Sequence, residues 1–128
     1  MRLLLDTHTF IWWFSEPEKL STRAQNLLAD AANELLLSVV SVWEMQIKIQ
    51  LGKLRLTIPL RELIEGQEQT NGLQILPVQL EHVLALEALP ARHKDPFDRL
   101  LIVQADAEEA YLVSMDKVFS DYSVKLLW

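Results

Sequence analysis

Cysteine is absent from the 128 residues, which removes disulfides, thiolate catalysis and cysteine-based zinc sites from consideration. The compartment stays open on that ground, since a cytosolic protein needs no disulfide. Long apolar runs are missing from the start of the chain. Leu3-Leu4-Leu5 meets Asp6 at once, too short a run for a signal peptide or a membrane span. The expected location is therefore the cytoplasm, with no membrane partner. Basic residues are in the minority, 12 against 18 acids, for a net charge of −6. A protein that simply coats nucleic acid is usually basic. An acidic one can still process nucleic acid if its excess negative charge sits in a metal site, or it can meet a basic partner. Linkers, repeats and low-complexity tracts are also lacking. Half the residues are apolar, and the length suits one domain over residues 1–128 with a real core.

Short apolar runs alternate with helical patterns along the chain. Residues 2–6, 35–37, 74–78, 111–114 and 124–127 read as strands, the third weakened by Pro77 and so expected at an edge or a strand end. Thr7-His8-Thr9 reads as a turn before an aromatic segment, Phe10 to Phe14. Its adjacent Trp12 and Trp13 cannot easily share one core, which makes one of them a candidate partner contact unless sheet and helices cover both. Ser21 caps a helix with Ala24, Leu27, Leu28 and Ala31 on one face. Further helices are expected over 39–51, stopped by Gly52, over 60–69, over 79–89 and over 96–109. This order predicts an α/β fold, a three-layer α/β/α sandwich around a mostly parallel sheet of four to five strands.

The most informative stretch is His93-Lys94-Asp95-Pro96-Phe97-Asp98-Arg99. Asp95 suits an N-cap, Pro96 the first helical position, and Asp98 the third, where a carboxylate completes a capping box. Helix mechanics alone would explain both acids. Yet Asp98 lies within about 60° of Leu101, Ile102 and Ala105 on the helical wheel, so it shares the stripe the helix should bury. A carboxylate there needs a cation or several donors nearby.

Three more acids converge on the same end of the sheet, where ligands of parallel sheets bind. Asp6 ends the first strand, and Asp116 follows the fourth. Glu44 lies between Val40, Ile47 and Leu51 on the wheel of the helix after the second strand, on the side expected to face the sheet. Each acid has a structural alternative: Asp6 and Asp116 can cap the elements that follow them, and Glu44 can pair with Lys48 at i+4. Together they argue for more, because crowded carboxylates cannot all ionise unless a cation neutralises them. Oxygen-only ligation selects a hard ion such as Mg²⁺ or Mn²⁺. Such acid clusters at strand ends serve phosphodiester hydrolysis.

The pattern resembles a PIN domain, and more narrowly the VapC-type toxin ribonucleases of type II toxin–antitoxin modules. Leu4-Leu5-Asp6-Thr7-His8, Ser38 to Glu44, His93 to Ala105 and Leu112 to Asp116 carry the resemblance, in order along the whole chain. It implies that Asp6, Glu44, Asp98 and Asp116 are the catalytic, metal-binding acids, with Mg²⁺ or Mn²⁺ as cofactor, and Asp95 kept as a helix cap. Thr7 and Ser114 stand where such families place a hydroxyl beside the metal. It also implies an RNA substrate, a cognate VapB-like antitoxin and a homodimer. His8, His93, Lys94, Arg99 and Lys117 adjoin the acids in sequence and are candidate RNA-backbone contacts, against ordinary surface charge or an Arg99 ion pair. A general acid or base role for His93 is not required by a metal mechanism.

Two other α/β enzymes fail on residue type. A phospho-acceptor receiver domain needs an acid after the third strand, where Val78 stands, and a haloacid-dehalogenase-type phosphatase needs an Asp at His8. The rival from a different class is a catalytically silent adaptor or protein-binding module whose acids only cap helices.

Overall fold

In the computed structural model, which describes residues 1–128, five parallel strands form one sheet. The order along the chain is β1 (Arg2–Leu5), α1 (Thr7–Ser15), α2 (Thr22–Ala29), β2 (Glu34–Ser38), α3 (Val39–Gln50), α4 (Leu60–Asn71), β3 (Gln74–Leu76), α5 (Leu80–Ala85), α6 (Pro96–Ala107), β4 (Tyr111–Val113) and β5 (Leu126–Leu127). Short 3-10 turns occupy Pro17–Lys19, Leu86–Ala88 and Lys117–Asp121. In space the strands run β3-β2-β1-β4-β5, so the chain winds outward from β1 to β3 and returns to place β4 on the other side of β1. That makes the gap between β1 and β4 a topological switch point, where parallel sheets open a crevice at their carboxyl ends.

The central strand is apolar on both sides because both faces are covered. Leu3 and Leu5 join Phe10, Leu28, Leu35, Leu37, Met45 and Leu63 on one face, and Leu4 joins Leu36, Leu101, Ile102, Leu112 and Phe119 on the other. All three leucines of β1 are fully buried, each worth roughly 2 kcal/mol of transfer free energy. The α/β sandwich expected from the sequence is the observed architecture. β3 lies at an edge, with Pro77 immediately after it, as its proline predicts. Gly52 after α3 and Gly72 after α4 take positive φ, 71° and 66°, and end those helices. No helix is long and apolar enough to cross a membrane.

Several expected boundaries move. Thr7-His8-Thr9 is not a turn but the first part of α1, because the Asp6 side chain accepts the Thr9 N–H and starts the helix three residues early. α2 ends at Ala29 and leaves Ala31 exposed. α5 covers only Leu80–Ala85 before tightening into a 3-10 turn, so the 79–89 helix is shorter than its pattern. Trp12 and Trp13 are each half-buried: Trp13 meets Phe10 edge-on, and Trp12 lies against Trp128 and His8.

Candidate active site

Asp6 follows the last residue of β1 and is only 6% exposed. Oδ1 accepts the Thr9 N–H at 2.7 Å, which caps α1, and Oδ2 accepts the Ser114 hydroxyl from the end of β4. Thr9 Oγ1 donates to the Val113 carbonyl at 2.9 Å and ties α1 to β4. The partners of the carboxylate are neutral donors. Burial accordingly pushes the Asp6 carboxyl above the ordinary aspartate range, against the Ser114 and Thr9 hydrogen bonds that favour its charge.

Asp116 is exposed. Its N–H donates to Ser114 Oγ at 3.0 Å while Oδ1 accepts the Val118 N–H at 3.0 Å, capping the following 3-10 turn. Ser114 therefore links the two acids through one hydroxyl. Asp6 and Asp116 also line one cavity of about 520 Å³ with His8, Thr9, Trp12 and Lys117. The capping alternative is thus observed for both acids. It occupies one carboxylate oxygen of each with a backbone N–H.

Glu44 and Asp98 form a second pair beside the first. Thr7 Oγ1 donates to Glu44 Oε1 at 2.6 Å, so the residue after Asp6 holds the acid of α3. Lys48 Nζ stands 3.7 Å from Glu44 Oε2 and 3.5 Å from His8 Nε2. The expected face of α3 is corrected: Val40, Ser41 and Met45 are its buried residues, while Leu51 is exposed, so Glu44 sits at the edge of the buried face. The helix starts at its Ser38 cap, whose Oγ accepts the Val40 N–H at 3.0 Å. Asp98 departs from the capping box. Asp95 accepts both the Phe97 and Asp98 N–H groups, but the Asp98 carboxylate turns instead to His93, with Nε2 3.3 Å from Oδ2. Burial first, then the charge on Asp95, pushes the Asp98 carboxyl up to about 6; His93 opposes the shift and Glu44 adds a smaller push upward.

The four acids thus lie in two neighbouring pairs, bridged by Thr7 and Ser114. No three acidic or histidine side chains stand close enough together to hold a metal ion as placed. The donor chemistry nevertheless fits a hard divalent cation. All four side chains offer oxygen, and two of them hold protons more tightly than usual, Asp6 through burial and Asp98 through burial and the charges of Asp95 and Glu44.

Of the neighbouring basic residues, His8 and Lys117 are exposed on the cavity, and Lys94 is exposed beside α6. Arg99 is half-buried, its Nη1 bonded to the Pro90 carbonyl at 2.8 Å and its Nη2 to the Leu89 carbonyl at 3.3 Å, which engages the guanidinium with backbone rather than with a carboxylate. Two site-supporting residues escaped the sequence reading. Gln104, 0% exposed, accepts the Ser38 hydroxyl at 2.6 Å; a lone amide inside the apolar run Leu101–Ala105 was the available signal. Tyr122 bonds to His93, and nothing in its local sequence announces that.

A family profile described as the PIN domain matches residues 3–125. Ribonuclease VapC22 of Mycobacterium tuberculosis (strain ATCC 25618 / H37Rv) is 29% identical over 117 residues, 90% of this chain and 87% of that one. Among solved structures, VapBC2 from Rickettsia felis bound to a promoter DNA fragment superposes with a TM-score of 0.75 at 18% identity, covering 99% of this chain and 98% of the other. A toxin–antitoxin complex from Klebsiella pneumoniae gives 0.63 at 14% identity, over 98% and 96%. These likenesses at low identity reproduce the fold, and the profile runs from β1 through β4 and takes in the four acids: the chain belongs to the PIN domain family.

Proposed function

We propose that this chain is a metal-dependent endoribonuclease and the toxin of a toxin–antitoxin pair, hydrolysing RNA phosphodiester bonds in the cytoplasm. The observation that carries the reading is Asp6: an acid, the residue 6% exposed, at the switch point of a parallel sheet, its carboxylate bonded to neutral donors, sharing a cavity with Asp116 and adjoining Thr7, which holds Glu44. Similarity to the ribonuclease VapC22 supports the enzymatic reading, and likeness to the Klebsiella toxin–antitoxin complex supports the setting.

In this reading Asp6, Glu44, Asp98 and Asp116 hold Mg²⁺ or Mn²⁺. When bound, the ion supplies charge stabilisation at the phosphate and a low-pKa water. The chain's own residues prepare for it. Ser114 and the Thr9 N–H orient Asp6, Thr7 orients Glu44, and His93 orients Asp98. Lys117 brings positive charge to the cavity and His8 a ring nitrogen, where they would meet RNA phosphates. The net charge of −6 suits a basic antitoxin segment, and exposed apolar side chains such as Trp43, Leu80 and Leu84 offer surface for it or for a second copy in a homodimer.

The test is cleavage of a mixed cellular RNA pool by purified protein, with Mg²⁺ or Mn²⁺ against EDTA, beside Asp98→Asn. Metal-dependent cutting that disappears in the variant is expected. The second reading, a silent adaptor, draws on the helix-capping bonds of Asp6 and Asp116. It would be favoured by no cutting under any metal together with an unchanged melting temperature on adding Mn²⁺.

A further inference from the structure

We infer that Tyr122 is a positioning residue for Asp98: its hydroxyl fixes the tautomer of His93 so that the imidazole presents Nε2–H to the Asp98 carboxylate. The inference deepens the proposed metal site and rests on Asp98 being one of its ligands.

Donors and acceptors around the hydroxyl can be counted. A tyrosine hydroxyl has one hydrogen to give and lone pairs for two hydrogen bonds. Tyr122 OH accepts the backbone N–H of His93 at 3.2 Å and Arg99 Nη1 at 3.3 Å. Its own hydrogen remains, and His93 Nδ1 is 2.6 Å away. Nδ1 is therefore the acceptor. A neutral imidazole with a bare Nδ1 carries its proton on Nε2, and Nε2 lies 3.3 Å from Asp98 Oδ2. The opposite tautomer fails twice: it aims Nδ1–H at a hydroxyl already accepting two donors, and it sets the Nε2 lone pair against a carboxylate oxygen.

The arrangement is held from several sides. Arg99 cannot swing away from the hydroxyl without leaving the Pro90 carbonyl at 2.8 Å and the Leu89 carbonyl at 3.3 Å. The tyrosine and imidazole rings meet edge-on, with centroids 5.4 Å apart, and Tyr122 is buried in the core cluster containing Leu101 and Ile102 of α6. The segment before β5 thus acts on the first turn of α6. With both ring nitrogens engaged, the His93 ring is held in one orientation. Neighbours that orient a ligand typically change metal affinity 10–100-fold when removed.

The experiment has two readouts. Long-range ¹H–¹⁵N spectra of labelled, metal-free protein report the His93 tautomer directly. Wild type is expected as the Nε2–H form, and Tyr122→Phe as a mixture. Titration with Mn²⁺ alone, followed calorimetrically, is expected to show about tenfold weaker binding in Tyr122→Phe and in His93→Leu. His93→Gln, whose amide can offer a donor in place of Nε2–H, should stay within about threefold of wild type. Melting in EDTA verifies that each variant is folded. An Nδ1–H tautomer in wild type overturns the inference. So does a folded Tyr122→Phe with unchanged tautomer and Mn²⁺ affinity, or equal losses in His93→Gln and His93→Leu, which would mark a merely structural contact. If wild type binds no Mn²⁺, the metal reading fails, and the tautomer spectra alone decide whether Tyr122 sets His93.

Discussion

The Gln104 amide oxygen accepts the Ser38 hydroxyl at 2.6 Å, joining the cap of the helix that carries Glu44 to the middle of the helix that carries Asp98. Both residues are fully buried. The Gln104 nitrogen continues to the Pro77 carbonyl at 3.3 Å and lies 3.4 Å from His82 Nδ1. A satisfied polar network in the core rigidifies what it joins, here the spacing of two candidate ligands on different helices.

Gln104→Leu keeps the volume but strands the Ser38 hydroxyl and the Pro77 carbonyl. It is expected to lower stability by about 1–3 kcal/mol, the cost of unsatisfied buried groups. Urea unfolding measures it; a loss indistinguishable from zero would show that the core tolerates these groups unpaired.

Thr7→Val tests the link between the first and second acid pairs. The isostere removes the donor to Glu44 while leaving the buried Thr7 site filled. Cleavage is expected to fall roughly tenfold, as for other lost ligand-orienting bonds, with a stability loss of about 1 kcal/mol. Thr7→Ser should restore most of the rate. Single-turnover RNA cleavage separates this from a simple loss of folded protein.

Metal should stabilise the fold. At a hundredfold excess over its dissociation constant, Mn²⁺ adds about 2.7 kcal/mol, which for a domain this size raises the melting temperature by roughly 10 °C. Asp6→Asn, which keeps a good helix cap, should lose that increment without losing the fold. An equal Mn²⁺ shift in Asp6→Asn and wild type would remove Asp6 from the site.

Without metal, Asp98 makes stability fall as pH rises. Its folded-state pKa is pushed up to about 6, chiefly by burial, so the native state holds the proton more tightly than the unfolded chain. The stability this contributes is fully present below the unfolded value near 4 and is lost as pH rises through about 6. Urea midpoints in EDTA from about pH 4.5 to pH 7.5 should therefore decline more steeply in wild type than in Asp98→Asn. Asp6, also raised by burial, adds to the decline in both proteins. Parallel curves would contradict the assignment of the shift to Asp98.

The layered α/β fold was legible because local chemistry points one way at each element. Leu3-Leu4-Leu5 is apolar on both faces, as a central parallel strand must be, and Gly52 stops α3 where expected. Less legible was the start of α1. An Asp–Thr–His–Thr run reads as a turn until one knows that the Asp6 side chain is buried and accepts the Thr9 N–H. The wheel placed Glu44 on a buried face, but the actual rotation of α3 buries Ser41 and Met45 instead, because packing on α1 and α6 sets it.

Residue types and their order along the chain were sufficient for the sheet and its parallel character, and they single out the four candidate acids, since each of these follows from patterns a few residues long. The links among those acids come from Ser114, 108 positions from Asp6, and from Thr7, 37 positions from Glu44. Tyr122 meeting His93 and Gln104 meeting Ser38 are contacts of the same kind. Such partners are chosen by how layers pack and where strands end, and hydrogen bonds across that distance leave no periodicity in the chain.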